Sequence, residues 1–200
     1  MLTLYDREAS GNCYKARLLL SFLGLTYRRV PVAMASGLNQ VDAEYLKLNP
    51  RGQIPTLEDD GLVLWGSTAI LCYLASRHDP GRRWLPEAPA RMGEVMQWLE
   101  LAQNEILEGL FRARAIVKFG VSGDLDSARV VGRRALDVLE SRLGSERWLA
   151  GDCPSVADVA CFPYVALAGE GGVDIAPYAG IARWIDDIKA LPGFVGMPGI

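Results

Sequence analysis

A chain of 200 residues, half of them hydrophobic, is long enough for one or two domains with a sizeable core. Its 21 basic and 24 acidic side chains leave a net charge of −3 and an isoelectric point near 5.3, so no general attraction for nucleic acid or an anionic membrane is expected. No apolar run reaches the roughly 18 residues of a membrane span; the best candidate, Val159 to Ala168, is short and carries Pro163.

The chain opens on a predicted strand, Leu2 to Tyr5, so neither a leader nor a membrane anchor is expected, and a cytoplasmic location is. Asn12 to Leu23 predicts a helix, with Ala16, Leu19, Leu20 and Leu23 on one face and Gly24 stopping it. A second strand, Tyr27 to Val30, is followed by a loop around Ser36-Gly37 and a short helix near Ala43 to Leu48. After the turn Asn49-Pro50-Arg51-Gly52, the strands Pro55 to Glu58 and Leu62 to Trp65 are joined by Asp59-Asp60-Gly61, a hairpin signal. Ser67 is placed to cap a helix to about Ser76. The order is βαβ and then ββα. A right-handed crossover makes the first two strands parallel, and the hairpin completes a mixed sheet of four.

Asp79 to Pro89 holds four Pro or Gly breakers and reads as a linker, which divides the chain into domains at 1–78 and 90–200. Strand signals then cease. From Ala90 to Phe119, apolar residues from Met92 through Val117 recur at helical steps and predict one long helix, weakened at Gly109. Further helices are predicted from Leu125 to Leu143, from Ser155, and from about Tyr178 to Leu191. The fold class is therefore α/β followed by an all-α bundle.

The single histidine, His78, lies in a polar stretch and is expected to be an exposed linker residue, so neither a Ser-His-Asp triad nor a histidine-built metal site is expected. Cys72 and Cys161 sit in apolar helical runs as small buried hydrophobes. Four segments carry more pattern. Ser10-Gly11-Asn12-Cys13-Tyr14-Lys15 joins strand to helix, where free N–H groups and the helix dipole favour an anion such as a thiolate; Ser10 and Asn12 could donate to it. Ordinary capping explains the same residues. Gly52-Gln53-Ile54-Pro55-Thr56 suits an edge-strand proline, or a cis-proline that turns the Ile54 backbone outward to pair with a peptide-like ligand. Ser67, after Trp65-Gly66, suits a carboxylate or a plain cap. Ser155-Val156-Ala157-Asp158 has capping-box spacing and reads as structural.

Taken in order and spacing, these segments, with Leu149-Ala150-Gly151-Asp152, Trp184 and Leu191-Pro192-Gly193-Phe194, resemble the bacterial cytosolic-type glutathione S-transferases over nearly the whole chain. The resemblance implies a thioredoxin-like domain carrying glutathione as co-substrate, a helical domain, and a homodimer. It assigns the cysteinyl backbone to Ile54 before cis-Pro55, the γ-glutamyl carboxylate to Ser67, nearby contacts to Gln53 and Gly66, and the glycyl carboxylate to Gln40. Ser10, with Asn12, would stabilise the thiolate, and a hydrophobic electrophile would sit against the long helix. The family commonly has Glu or Gln where Gly66 stands; losing one charge-assisted contact there would weaken glutathione binding roughly ten- to a hundredfold. Relatives with this opening often carry an aromatic- and His-containing segment where Glu100 to Glu105 stands here, so the electrophile pocket is expected to differ too. The expected activity is conjugation of glutathione to a soft electrophile. The alternatives are a disulfide reductase or peroxidase using Cys13, and a non-catalytic binding protein.

Overall fold

A computed structural model describes residues 1–33 and 43–200. Strands β1 (Thr3–Asp6), β2 (Arg28–Pro31), β3 (Thr56–Asp59) and β4 (Leu62–Trp65) form one sheet in the order β2-β1-β3-β4. β1 and β2 are parallel; β3 is antiparallel to both β1 and β4. The turn between β3 and β4 places Asp60 and Gly61 at φ 47° and 87°, the left-handed pair that a tight hairpin needs. Helix α1 (Gly11–Phe22) buries Ala16, Leu19 and Leu20 as its periodicity requires, and Gly24, at φ 65°, ends it. α2 (Ala43–Leu48) and α3 (Ser67–His78) complete this half. The N-terminal domain is thus the expected four-stranded mixed sheet with its helices, and a helical domain follows it.

Two details differ from expectation. His78 is the last residue of α3 rather than an exposed linker residue; its ring lies edge-on to Tyr73 and its Nε2 is 3.6 Å from Asp59 Oδ2. The helix expected from 90 to 119 is also not continuous. α4 (Pro89–Gln103) ends at Asn104, a π-helical turn spans Ile106–Phe111, and α5 (Arg112–Phe119) follows. The interruption lies where this segment crosses α6 (Leu125–Leu143). A Cβ on Gly109 would stand 2.5 Å from the Gly132 Cα and 2.9 Å from the Val131 carbonyl carbon. Two glycines therefore let two backbones touch, and the wider turn re-aims everything beyond it. Apolar spacing cannot reveal a π turn, because most of its residues still fall on the buried side.

α7 (Val156–Ala166) is buried on nearly every face and forms the centre of the helical domain. Its capping box is present. Buried Asp158 accepts from the Ser155 N–H at 2.9 Å, the Leu149 N–H at 3.1 Å and Trp184 Nε1 of α8 (Ala179–Lys189) at 2.9 Å. One carboxylate thus ties three segments together.

Gly93 and Gly109 make a matched test of this packing. Gly93 is an exposed helical glycine with open space beside it, so Gly93→Ala should raise the unfolding free energy by roughly 0.5–1 kcal/mol. Gly109→Ala should lower it by about 3 kcal/mol in urea denaturation, because only backbone could give way.

Candidate functional site

The turn from β1 into α1 is held from below. Buried Asp6 accepts from Arg17 Nη1 at 2.5 Å and pairs with Arg29, while Arg17 also donates to the carbonyls of Glu8 at 2.9 Å and Arg7 at 3.3 Å. The loop Arg7 to Ala9 is thereby fixed, and Ser10 follows it with extended backbone as the N-cap of α1. Ser10 Oγ accepts the Cys13 N–H at 3.2 Å. The neighbouring N–H, that of Asn12, goes to the Tyr164 hydroxyl of α7 at 3.1 Å. Each hydroxyl oxygen has spent a lone pair on a backbone donor and keeps its own proton to give. Two O–H donors thus stand at the start of one helix, where an anion is already favoured.

Tyr164 can come this close because residue 11 has no side chain: a Cβ on Gly11 would stand 2.5 Å from Tyr164 Cε1. Lys15, one turn on, is fully buried, with its ammonium 5.1 Å from the centre of the Tyr164 ring and no hydrogen-bond partner. Burial pulls its pKa down to about 8. Cys13 faces the same interior. Burial, aided by the nearby Asp6 charge, pushes its thiol up to about 12. At Cys13 desolvation outweighs the helix dipole, which weighs against the alternative that uses this thiol.

The opposite wall comes from the sheet. Asn49 Nδ2 and the Tyr45 hydroxyl both donate to the Gln53 carbonyl, at 2.5 and 2.7 Å, and Asn49 also reaches Thr56 Oγ1 at 3.2 Å. They fix the segment Gln53 to Thr56, whose Ile54–Pro55 bond is cis. Gly66, at φ 91°, is the N-cap of α3, and Ser67 is the first helical residue rather than the cap. Ser67 is buried, and its Oγ lies 3.4 Å from Asn12 Oδ1.

Between the walls lies a cleft of about 330 Å³ lined by Ser10, Asn12, Gln53, Ile54, Pro55, Gly66 and Ser67. Gln40 lies outside the described residues. Sequence reasoning put the far wall on the segment from Ala90 to Phe119 but named none of its side chains: Phe111, Arg112, Arg114 and Phe119 of that segment line the cleft, with Arg7 and with Tyr164 of α7. Tyr164 was signalled only by being a hydroxyl in an otherwise apolar helix, which has to find a partner. The arginines gave no signal, because the π turn decides where two of them lie. Among the described residues, no three His, Cys, Asp or Glu side chains gather to hold a metal ion, and no helix is long and apolar enough to cross a membrane.

Comparison with known proteins agrees with this fold. Residues 9–77 match the family described as the glutathione S-transferase N-terminal domain, and residues 96–187 the glutathione S-transferase C-terminal domain. The chain is 31% identical to glutathione S-transferase GstB of Escherichia coli, over 96% of this chain and 95% of that protein. It is 29% identical to the disulfide-bond oxidoreductase YfcG of Escherichia coli, over 96% and 92%. A crystal structure of a glutathione S-transferase from Pseudomonas fluorescens superposes with a TM-score of 0.90 at 36% identity, covering 98% of each chain.

The buried lysine has a consequence for stability. Its folded pKa, about 8, lies below its ordinary 10.5, so below pH 8 the folded protein bears the whole cost of the buried charge. Between those values the unfolded chain binds more protons, and stability rises with pH. Lys15→Met should therefore be more stable than the wild type at pH 7 by ~3 kcal/mol, with the gap closing towards pH 10.5. Urea unfolding of both proteins across that range measures it; a gap independent of pH would contradict it.

Proposed function

The chain belongs to the glutathione S-transferase family, and on that footing we propose that it holds the glutathione thiolate at Ser10 and directs it at a soft electrophile in the cleft. The observation that carries this reading is the convergence of Ser10, Asn12, Ile54, Pro55 and Ser67 on one cleft at the start of α1. The Ser10 and Tyr164 hydroxyls, each already accepting from a backbone N–H, have protons for the sulfur. Ile54 offers its backbone to the cysteinyl residue, Ser67 and the start of α3 receive the γ-glutamyl carboxylate, and Gln53 lies beside them. At Gly66 a Cβ would meet nothing within 4 Å, so the ammonium end of glutathione meets space and solvent, and affinity is modest.

On binding, the thiol proton leaves to water. The sulfur lone pair then forms a C–S bond with the electrophilic carbon. From an aryl or organic halide, the halide departs with its bonding pair; with an enone, the adjacent carbon takes a proton from water. Proximity and preorganised donors supply the acceleration. The name of one relative invites a reductase reading; a reductase that used Cys13 would need that thiol to ionise, and Cys13 is buried with its pKa raised to about 12.

Ser10→Ala should remove the thiolate absorbance of bound glutathione near neutral pH and lower kcat/KM roughly ten- to a hundredfold, the effect of losing one hydrogen bond to a charged group. Its cost in folding stability should be only about 1 kcal/mol, the value of an N-cap. Unchanged turnover would remove Ser10 from its role. The reading retains a cytoplasmic homodimer, with exposed Leu62 on edge strand β4 and Met96 on α4 among the apolar side chains a partner would cover. Sedimentation equilibrium should then return twice the 21.8 kDa chain mass.

A further inference from the structure

The wall of the cleft facing glutathione carries charges and rings that the thiol chemistry does not use. Among the described residues, four arginines line the cleft against a single acid, Glu108, in a chain whose net charge is −3. Arg51 lies over Trp65 on the sheet wall, 5.4 Å from the ring centre, and belongs to the glutathione side. The other three stand opposite. Arg114 and Arg7 flank the Phe119 ring, with guanidinium carbons 5.1 and 6.0 Å from its centre. Arg114 is buried to 1% exposure; its Nε holds Glu170 at 2.5 Å, its Nη1 holds the Ala9 carbonyl at 3.0 Å, and its Nη2 is buried without a partner. Gln103 Nε2, on the same cleft, is likewise buried and unpartnered. Neither Arg7 nor Arg112 has a carboxylate within 4.0 Å among the described residues.

Buried donors left open are costly unless something in the cleft accepts from them. Unpaired guanidinium forks match a carboxylate in shape and charge. Phe111, packed on Tyr164 with ring centres 5.1 Å apart, and Phe119 supply flat apolar surface beside them. We infer that the second substrate is an acidic, planar electrophile: a conjugated or aromatic body against Phe111 and Phe119, with its carboxylate held by Arg7 and Arg112. This rests on reading the cleft as that of a glutathione transferase, and names the substrate class that it takes.

The test reads binding rather than turnover, so it stands apart from the Ser10 experiment: loss of catalysis there leaves it standing, and its own failure leaves the Ser10 result intact. Calorimetric titrations compare 3-phenylpropanoate with 3-phenylpropanamide, neither of which is an electrophile, on glutathione-loaded protein. The acid should bind at least tenfold more tightly than the amide, and its affinity alone should fall as salt rises. In Arg7→Gln/Arg112→Gln the preference should vanish while glutathione affinity holds. Arg112→Gln alone, at an exposed site at the start of α5, should reduce it several-fold. Equal binding of acid and amide, binding of neither, or a preference that survives both substitutions overturns the inference. A loss of glutathione affinity in the variants also overturns it, by giving the arginines to glutathione's own carboxylates.

Discussion

The site depends on one contact, the Tyr164 ring laid against the bare Cα of Gly11. A side chain at position 11 would overlap the ring, which is buried. The contact joins the first turn of α1 to the central helix of the other domain. It brings the Tyr164 hydroxyl to the Asn12 N–H, and so places a group from the helical domain beside Ser10. The same approach closes the space around Lys15, whose ammonium meets the face of the ring instead of water. A cation over an aromatic face is worth more when desolvated, and burial still draws its pKa down. The junction is therefore tight enough to leave a charge imperfectly satisfied.

Much of this was legible in the sequence where a local rule was strong. The βαβ-ββα order, the hairpin at Asp60-Gly61, the Ser10 cap, and the capping box at Ser155 and Asp158 each rest on residues close in the chain. What was illegible rests on distant partners. Nothing local marks Gly109 as the point where two backbones touch, so one long helix was expected where a π turn and a new helix stand. Nothing local marks Asp6 as the buried anchor for Arg17 and Arg29. Gly66 was readable as a missing polar side chain, but not as the positive-φ residue that takes the N-cap position of α3 in place of Ser67.

Two sulfur environments meet at the start of α1, and they show how burial and dipole compete. Cys13 is the third residue of the helix, and its N–H is satisfied by Ser10. Its thiol nevertheless faces the core, where no donor count offsets the loss of water, and ionisation is suppressed. A ligand sulfur on the cleft side would meet the opposite balance: part of its hydration kept, two hydroxyl protons on offer, and the positive helix end behind them. The same turn thus silences its own cysteine, and on the proposed reading it would favour a visiting one. Fold position alone would have assigned both the same fate.

The electrostatics of the cleft extend that division. A chain with net charge −3 would repel an acidic substrate at long range, yet the cleft's far wall is cationic. Glu170 does not line the cleft; it binds Arg114 and Lys118 and so fixes the end of α5 against the turn Ala168–Gly171. With that carboxylate already spent on two cations, the neighbouring Arg7 and Arg112 keep their charge for the cleft. Low-dielectric walls concentrate such a field inside a groove while salt screens the rest of the surface. The local sign therefore outweighs the global one where a ligand is held. On the proposed reading, the same positive field that would favour a thiolate at the helix start would also hold an acidic acceptor within reach of it.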